Sequence, residues 1–470
     1  MKPKQYWAII LKLTILLISS LTLLTGCKKD KETLQNTPPA ATSVMVALGS
    51  GQATGHYTYT DNEGDEEGNS LFQWYKADDN AGTNEVKIAN ATAKTYMYQP
   101  DDQGAFLAFE VTPVQKDGQT GSSVKSPFTG TVVYDNDDDT PDIELKFLDE
   151  FVYPAGQMFQ GTTIGGLSGI HYENGVYYIV SDDYNNPRYY KVQIDIQQNA
   201  INAVTFTDVI TFDTQQTFYT SHFLDLESIV LHNGTVIISS EGSINSNKEP
   251  CIFTSNTQGD FLSAYNIPDY FLTHSRHNGV FESLSISIDN QGIWCANELP
   301  LTTDGTEAGY PTTHSPLRLT YYDTDTKEAT KVFAYELSPL PLPNNSNYDM
   351  NGVSDLLTYK DNQFLVVERA FQGKNVVKIF KAVIDNTSTD ILNTDNLNGA
   401  NYIPVTKELI FDFSSIETEL TNQRIDNIEG ITFGETLPNG NRTIIVISDD
   451  NFQQYGEQLN QFILFELIEH

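Results

Sequence analysis

The chain has 470 residues, with 62 acidic and 27 basic side chains and a formal net charge of -35 at pH 7. This balance argues against nucleic acid as a partner, because a protein that neutralises phosphates needs an excess of Lys and Arg. An excess of carboxylates instead suits solubility and the binding of divalent cations.

The first 26 residues have the pattern of a targeting segment. Two lysines precede an apolar run from Trp7 to Leu24, which is interrupted only by Lys12 and small hydroxyl residues. The sequence Leu24-Thr25-Gly26-Cys27 follows and resembles the lipobox of bacterial lipoproteins, whose cysteine thiol carries the lipid. An ordinary signal peptide and a membrane anchor are the alternatives, and the lysine in a short apolar run disfavours a full span. We therefore predict a signal peptide over 1–26 and lipidation of Cys27.

Residues 27–40 have the composition of a polar tether. They include the charged run Lys28-Lys29-Asp30-Lys31-Glu32 and the pair Pro38-Pro39. The charged run resembles the surface-export signal of lipoproteins from the Bacteroidetes group, and a solvated linker is the alternative. We expect the protein in the cell envelope, lipid-anchored to the outer membrane and exposed at the surface. No later stretch is long and apolar enough to span a membrane.

Residues 41–133 alternate between apolar and polar side chains in short runs separated by turns, which predicts an all-β module. The candidate strands are His56–Thr60, Leu71–Lys76, Thr95–Tyr98 and Leu107–Thr112. Strands at this spacing suggest a sandwich. The segment resembles the immunoglobulin-like modules of bacterial surface proteins, with Trp74 as the core tryptophan and a spacer as its expected role. The acidic segment 134–143 then reads as a linker, since the glycine and closing glutamate of an EF-hand loop are missing.

Residues 144–470 repeat a two-part unit. The first part is an apolar residue, then Ser or Glu, then a small or polar residue and Ile or Leu. Its copies are Leu167–Ile170, Leu226–Ile229, Phe281–Leu284, Val353–Leu356 and Ile428–Ile431. The second part is an apolar strand that ends in an acid. Its copies are Tyr178–Asp182, Ile237–Glu241, Ile293–Glu298, Leu365–Glu368 and Ile445–Asp449.

Five spaced copies of paired strands predict the blades of a β-propeller. A sixth blade has room between 300 and 350 or between 371 and 425, so we predict five to six blades. The strand Phe462–Leu467 is expected to close the ring beside the first blade. The predicted fold class is all-β, a propeller preceded by a small immunoglobulin-like sandwich.

The acids of the repeat are candidates for a shared site, because the innermost strands of a propeller converge on one channel. The acids concerned are Asp182, Glu227, Glu241, Glu282, Glu298, Glu368, Glu429 and Asp449. Clustered carboxylates raise one another's pKa unless a cation compensates them, and Ca²⁺ accepts six to eight oxygen ligands. Turn formation and hydrogen bonds between blades are the structural alternative for any single acid.

Several ordered motifs carry a family resemblance. They are His274–Leu284, Asn297–Leu301, Leu317–Leu319, Gly352–Leu356, Leu365–Arg369, Ile428–Ile431 and Ser448–Asp450. Over about 145–470 the chain resembles the "esterase-like activity of phytase" family. It departs from the family pattern at Ser228 and Ser283, where glycine is usual, and it lacks the dense Asp clusters of calcium-dependent phytases.

The resemblance implies a calcium-dependent hydrolase of phosphate or related esters. The implied catalytic residues are Glu282, Glu298, Glu368 and Arg369. The implied metal ligands are Glu227, Glu282, Glu429 and Asp449, and the residues that would face an anionic substrate are Arg276, Arg318 and Arg369. A non-catalytic surface module that captures a phosphorylated or glycan ligand is the alternative. A serine esterase acting through Ser168 is disfavoured, because Ile170 replaces the glycine of a nucleophile elbow.

The remaining sequence signals for chemistry are few. No CxxC, HExxH or P-loop pattern occurs, so the usual signatures of zinc and nucleotide chemistry are missing. After Cys27 only Cys251 and Cys295 remain. They could pair in an oxidising compartment, and two unpaired buried thiols are the favoured alternative.

Overall fold

The computed structural model describes residues 36–49, 51–132, 142–213, 215–311, 313–343 and 348–470. The described residues divide into two compact units, at 36–48 with 52–132 and at 142–470. The predicted signal peptide, Cys27, the charged run and Tyr134–Pro141 lie outside the described residues. Within the described part of the chain, no helix has the length and apolarity needed to cross a membrane.

The first unit is an immunoglobulin-like sandwich of two antiparallel sheets, as predicted. One sheet has the order β1-β2-β5 and the other has the order β4-β3-β6-β7. A 3₁₀ helix covers Pro100–Asp102. The strands are β1 (Ala40–Leu48), β2 (Gln52–Thr60), β3 (Leu71–Ala77), β4 (Val86–Lys87), β5 (Thr95–Met97), β6 (Phe106–Thr112) and β7 (Val124–Lys125).

Trp74 is the centre of this first unit. Its side chain is completely buried, and its ring centroid lies 5.1 Å from that of Phe109 and 5.9 Å from that of Tyr96. The indole Nε1 donates to the Ala93 carbonyl oxygen at 2.9 Å. The large apolar ring is thereby buried while its one polar atom is hydrogen-bonded, which is what a buried tryptophan requires.

The second unit consists of five four-stranded antiparallel sheets, or blades, and a short hairpin. It begins with β8 (Ile143–Tyr153) and the hairpin β9 (Met158–Phe159) and β10 (Thr162–Thr163). Blade 1 has β11 (Leu167–Glu173), β12 (Val176–Ser181), β13 (Arg188–Gln197) and β14 (Ala200–Thr211). Blade 2 has β15 (Leu226–His232), β16 (Thr235–Ser240), β17 (Cys251–Ser255) and β18 (Phe261–Ala264).

The remaining blades follow the same meander. Blade 3 has β19 (Phe281–Ile286), β20 (Gly292–Asn297), β21 (Pro316–Asp323) and β22 (Ala329–Glu336). Blade 4 has β23 (Met350–Lys360), β24 (Gln363–Phe371), β25 (Asn375–Val383) and β26 (Thr406–Asp412). Blade 5 has β27 (Asn427–Thr436), β28 (Arg442–Asp449), β29 (Asn460–Glu469) and β8.

Helices are few in the second unit. The α-helices are α1 (Thr217–Ser221) and α2 (Asp269–His274). The 3₁₀ helices are Ile244–Ser246, Phe413–Ser415, Glu417–Glu419, Thr421–Gln423 and Asn451–Gln453.

The innermost strands close into a ring of five. Each of β11, β15, β19, β23 and β27 packs against the next, and β27 packs against β11. The structure has no sixth blade among the described residues of the two intervals that left room for one. Residues 300–350 instead contain β21 and β22 of blade 3, and residues 371–425 contain β25 and β26 of blade 4. Strand β29 is the third strand of blade 5, and β8 pairs with it as the outermost strand. The two ends of the unit are therefore joined within one blade, which ties the ring shut.

The apolar core lies between the blades, because each blade has two buried faces. In β28, Ile444 and Val446 pack toward blade 4, whereas Ile445 and Ile447 pack toward blade 1. A strand buried on both faces has an unbroken apolar run rather than an alternating one. This explains the apolar run in the second part of each repeat. Cys251 and Cys295 are free, buried and in different core clusters, as favoured.

Side-chain to backbone hydrogen bonds join four of the blade junctions. Leu284 N donates to Ser228 Oγ at 3.0 Å, and Thr358 N donates to Ser285 Oγ at 2.8 Å. The remaining two run from Ile431 N to Asp355 Oδ2 at 2.8 Å and from Tyr172 N to Thr432 Oγ1 at 3.1 Å. Three of these amides are buried and that of Tyr172 is partly buried, and the inner strands cannot pair with one another directly because they belong to separate sheets.

Candidate carboxylate centre

A β-bulge occurs at the same point of all five innermost strands. The register shifts fall next to the second residue of each repeat, as between Leu226 and Ser228 or between Phe281 and Ser283. A bulge inserts one unpaired residue and re-aims its side chain. We call the inserted positions the bulge row: Ser168, Glu227, Glu282, Ser354 and Glu429.

A second row of side chains lies at the end of the second strand of each blade. Just before the bulge, Leu167 pairs with Ser181, Leu226 with Ser240 and Phe281 with Asn297, and blades 4 and 5 have the equivalent pairs. The row consists of the residue that follows the second-strand member of each pair. The next residues form the rim row: Asp182, Glu241, Glu298, Arg369 and Asp449. Four acids and one arginine thus occupy equivalent points of the five blades.

Local backbone geometry makes space for the rim row. Gly166 has φ +59, and a Cβ there would lie 2.0 Å from Asp182 Oδ1. At the equivalent point of blade 4, a Cβ on Gly352 would lie 2.5 Å from Glu298 Cγ. Any larger residue would displace these carboxylates. Glycine at both positions therefore leaves these carboxylates in place, and the positive φ of Gly166 favours glycine there further.

Five carboxylates of blades 2 and 3 meet in what we call the carboxylate centre. Its members are Asp225, Glu227, Glu241, Glu282 and Glu298. One oxygen of each of Asp225, Glu227 and Glu241 lies within 4.8 Å of the other two, and the same holds for Glu241, Glu282 and Glu298. Glu241 belongs to both groups. Glu241, Glu282 and Glu298 are at most 6% exposed, while Asp225 is only partly buried and gives the centre an open side.

Burial makes the centre electrostatically costly in its charged form. Burial, reinforced by Glu241 and Asp182, raises the pKa of Asp225 to about 8. Burial also raises the pKa of Glu298 to about 8, although Arg369 opposes the shift. The pKa values of Glu227 and Glu282 are well above the ordinary value because of burial and their acidic neighbours. The centre therefore requires protons or cations to neutralise it at physiological pH.

Arg369 is the one basic side chain that forms an ion pair with these carboxylates among the described residues. Its Nη2 lies 3.0 Å from Glu298 Oε1, and its Nη1 lies 3.3 Å from Glu429 Oε1. It also donates to Asn427 Oδ1. A planar guanidinium that bridges blades 3 and 5 from blade 4 fixes the spacing of the acids on either side.

A further group of acids continues the rows through blades 5 and 1. Burial raises the pKa of Glu429 to about 7 against the opposing effect of Arg369, and burial with Asp183 raises the pKa of Asp182 to about 6. Burial with Asp182 and Glu429 raises the pKa of Asp449 well above its usual value. Asp182 Oδ1 and Glu429 Oε2 are buried and have no hydrogen-bond partner in the described part of the chain. Unpaired buried oxygens are uncommon and call for a ligand, ion or water.

Comparison with known proteins settles the family. The family described as "Esterase-like activity of phytase" matches residues 162–452, which is more than half of the chain. The chain belongs to this phytase-like family. A second match, to the AIR9 A9 domain, covers residues 47–127 in the sandwich. The 187-kDa microtubule-associated protein AIR9 of Arabidopsis thaliana is 29% identical over 128 residues, which are 26% of this chain and only 7% of that protein.

Solved structures resemble the phytase-like chain weakly. The α-L-arabinofuranosidase PaAbf62A from Podospora anserina has a TM-score of 0.37 and 10% identity, covering 69% of this chain and 97% of that one. The GH62 α-L-arabinofuranosidase of Coprinopsis cinerea has a TM-score of 0.36 and 10% identity, covering 69% and 98%. The GH32 β-fructofuranosidase BmSUC1 of Bombyx mori has a TM-score of 0.35 and 12% identity, covering 70% and 63%. At these scores they carry no information about activity.

Most residues predicted for the site do come together in the phytase-like unit. The bulge and rim rows unite Glu227, Glu282, Glu298, Arg369, Glu429 and Asp449 at one end of the channel. Ser168, at the bulge position of blade 1, donates to Glu227 Oε2 at 2.6 Å. This serine is therefore a hydrogen-bond donor to the acids of the site.

Glu368 is not brought to the centre. Its Oε1 accepts from the Tyr335 hydroxyl at 2.7 Å and pairs with Lys407, while its Oε2 accepts from Ser338 N and Asn351 Nδ2, both at 3.0 Å. Burial acts to raise its pKa, but Lys407 and these hydrogen bonds hold the pKa below its usual value. Glu368 pairs in register with Val353, so the rim position of blade 4 belongs to Arg369. A one-residue shift along a strand reverses the face on which a side chain lies.

Arg276 and Arg318 were predicted to face an anionic substrate, but both contact other groups of the protein. Arg318 is completely buried, with its Nε 2.7 Å from Asp304 Oδ2 and its guanidinium 4.1 Å from the centroid of the Tyr270 ring. Arg276 donates to the carbonyl oxygens of Pro300 and Gly305 at 2.9 and 3.0 Å. Both arginines hold the loop that follows β20, because its carbonyl groups and Asp304 are their nearest acceptors.

Asp225 is the member of the centre that the sequence repeat missed. It precedes the bulge glutamate of blade 2 by two residues. The equivalent residues of the other blades are Gly166, Val280, Gly352 and Asn427, so the repeat carries no acid there. The only available signal was the spacing of Asp225 and Glu227, which places both on one side of a strand.

Proposed function

We propose that this phytase-like protein is a calcium-dependent hydrolase of phosphate or related esters that acts at the carboxylate centre. The observation that carries the proposal is a group of five carboxylates, of which Glu241, Glu282 and Glu298 are buried, beside a single arginine. The family description, which names esterase-like activity, agrees with it. The substrate class and the calcium dependence are our inference from the chemistry of the side chains.

The side chains of the centre suit a hard divalent cation. All its potential ligands are carboxylate oxygens, and Ca²⁺ prefers oxygen ligands in a loose geometry. Glu241, Glu282 and Glu298 would hold the ion, with Glu227 beside them. Asp182 and Glu429 interact electrostatically with acids of the centre, and their Oδ1 and Oε2 atoms are buried without partners in the described structure. When bound, a divalent cation in such a site polarises the ester and lowers the pKa of a bound water.

Arg369 is suited to bind the anionic substrate. Its guanidinium is held in place by Glu298 and Glu429, and its Nε is buried without a hydrogen-bond acceptor in the described structure. A guanidinium held in this way can donate paired hydrogen bonds to phosphate oxygens and stabilise charge that develops on them.

Glu429 is suited to accept a proton from the attacking water. Its Oε1 faces Arg369 and the Asn427 side chain, while its Oε2 has no partner in the described structure. Burial, opposed by Arg369, raises the pKa of Glu429 to about 7. A general base is most effective when its pKa is close to the working pH. In this proposal Glu429 is therefore a base, whereas the sequence resemblance assigned it to the metal.

The proposal is tested by turnover on a panel of phosphomonoesters, phosphodiesters and carboxylic esters. We expect hydrolysis of at least one class, loss of hydrolysis in EDTA, and recovery when excess Ca²⁺ is added. The Glu282→Gln variant should remain inactive at every calcium concentration. An exposed control, Glu435→Gln, should match the unaltered protein. No hydrolysis of any ester in the presence of calcium would contradict the proposal.

A non-catalytic binding module is the second candidate, and one surface feature favours it. Tyr184 is 51% exposed, and its ring centroid lies 4.7 Å from that of Phe223. These aromatic residues lie two positions after Asp182 and two positions before Asp225, respectively. An exposed aromatic ring that packs on a partly buried one, near acids in the sequence, suits the face of a sugar ring. Calorimetry with glycans and sugar phosphates decides between the candidates, since tight binding without turnover supports the module.

We also propose that lipid on Cys27 attaches the protein to the cell envelope, at the outer membrane and facing outward. The support is the apolar run that ends at Leu24-Thr25-Gly26-Cys27. Metabolic labelling with a fatty acid should mark the protein, and Cys27→Ser should abolish both the label and its sedimentation with membranes. Unchanged sedimentation of the Cys27→Ser variant would contradict the anchor.

A further inference from the structure

We propose that the carboxylate centre binds two divalent cations, with Glu241 as the ligand that they share. This inference deepens the function proposed above and rests on its cation site. The first site consists of Asp225, Glu227 and Glu241, and the second consists of Glu241, Glu282 and Glu298.

The distances in each group suit one cation. The three ligand oxygens of each group lie within 4.8 Å of one another. Calcium binds oxygens at 2.3–2.6 Å, so two oxygens on opposite sides of one ion are about 4.6–5.2 Å apart. Each group can therefore surround an ion with little movement.

The two groups come from different parts of the propeller. Asp225 and Glu227 lie at the start of blade 2, and Glu282 and Glu298 belong to blade 3. Glu241 follows the second strand of blade 2 and is 4% exposed between them. A carboxylate has two oxygens, and metal sites with two ions commonly share a ligand of this kind. Glu241 is the one side chain that both groups contain.

The charges favour two ions over one. The five carboxylates of the centre carry five negative charges when ionised, and Arg369 supplies one positive charge at Glu298. One divalent ion leaves an excess of three negative charges among the five carboxylates, whereas two leave an excess of one beside the guanidinium, which Glu298 shares with Glu429. Uncompensated charges in a buried site are expensive.

An unpartnered oxygen beside each group supports the inference independently of the cluster. Among the described residues, Asp182 Oδ1 is buried without a partner, and Asp182 interacts electrostatically with Asp225 and Glu227 of the first group. Glu429 Oε2 is likewise buried without a partner, and Glu429 interacts with Glu241 and Glu298 of the second group. Asp182 thus offers a further oxygen to the first group, and Glu429 offers one to water bound at the second group, which agrees with its proposed role as the base.

The experiment measures the number of bound ions in the purified protein, without any substrate. The protein is stripped with EDTA, and Ca²⁺ binding is followed by calorimetry and by Tb³⁺ luminescence. We expect two ions per chain. Asp225→Asn and Glu282→Gln should each bind one ion, Glu241→Gln should lose both or bind them at least tenfold more weakly, and the exposed control Glu435→Gln should bind two.

A check on folding keeps these outcomes interpretable. Each of the three centre variants removes one charge from a repelling group, so the EDTA-treated variants should unfold at temperatures equal to or above that of the unaltered protein. Binding of a single ion by the unaltered protein, or of two ions by Asp225→Asn, would overturn the inference. Two bound ions without ester turnover would overturn the proposed hydrolase only, and turnover with one bound ion would overturn the second site only.

Discussion

The two ends of the propeller channel are built from the same five strands but differ in chemistry. One end has the bulge and rim rows with their buried acids. Three residues further along the inner strands, the channel is lined by His171, Val230, Ser285, Leu357 and Thr432 around a cavity of about 110 Å³. Burial lowers the pKa of His171 to about 4, so this imidazole is neutral at physiological pH.

The five blades place side chains at equivalent positions at both ends of the channel. The residue types at these positions determine at which end a cation or substrate can bind. A strand rises by about 3.3 Å per residue, so the two ends are only about 10 Å apart. One end contains clustered carboxylates that require a cation or protons. The other contains His171, apolar groups and hydroxyls, and two of these hydroxyls accept hydrogen bonds from amides of neighbouring blades. We therefore place function at the acidic end. The following predictions test this assignment.

The largest effect on stability is expected from Arg369→Gln at the acidic end. Removing this guanidinium leaves Glu298 and Glu429 without their ionic partner, and breaking a buried ion pair typically costs about 3–5 kcal/mol. Denaturant titration in EDTA should show this loss in the free energy of unfolding, and Ca²⁺ should restore part of it. A loss below about 1 kcal/mol would mean that the guanidinium does not neutralise the acids.

The largest effect on activity is expected from Glu429→Gln. Removing a general base typically lowers the rate by about 10²-fold or more, so kcat should fall by at least that factor with the cation still bound. The matched variant at the opposite end is His171→Gln, which should change kcat by no more than about twofold. Equal losses in the two variants would remove the distinction between the ends.

The stability of the cation-free protein should fall as the pH rises. Asp225 and Glu298 have pKa values of about 8 in the folded protein, and Glu429 has a pKa of about 7. All three values are raised above those of the unfolded chain, so the folded state retains protons that the unfolded state has already lost. Stability is therefore greatest below about pH 4 for these groups and is lost progressively up to about pH 8.

Thermal unfolding in EDTA between pH 5 and pH 8 measures this dependence. The unfolding temperature should decrease over this range, and saturating Ca²⁺ should flatten or reverse the trend. Charge-removing variants of the centre, such as Asp225→Asn, should reduce the slope. An unfolding temperature that rises with pH in EDTA would show that the acids are neutralised by other means.

The smallest effect is expected at the opposite end of the channel, from Thr432→Val. The hydroxyl of Thr432 accepts a hydrogen bond from Tyr172 N at 3.1 Å between blades 5 and 1. Its removal leaves a partly buried amide without this partner, which costs about 1 kcal/mol. The free energy of unfolding should fall by that amount, with cation binding and turnover unchanged. A change in cation number would show that the two ends are coupled.

The sequence by itself determined the architecture of both units. Apolar alternation and turns predicted the sandwich around Trp74, and five copies of a strand pair predicted the blades. These features are local, since each depends on the period of side chains along one strand and on the turn that follows. The acids of the repeat likewise identified most of the centre. The recurrence of a strand pair with an acid at its end is enough to predict that equivalent side chains converge on one axis.

Only the tertiary structure decided which of these acids meet. Strand pairing placed Arg369, and not Glu368, in the rim row, because a bulge and a one-residue register decide the face of a side chain. The same pairing made β8 the last strand of blade 5 and assigned the strands of 300–350 and 371–425 to outer positions. Asp225 joined the centre although no other blade has an acid there. These outcomes depend on partners distant in sequence, which local patterns do not specify.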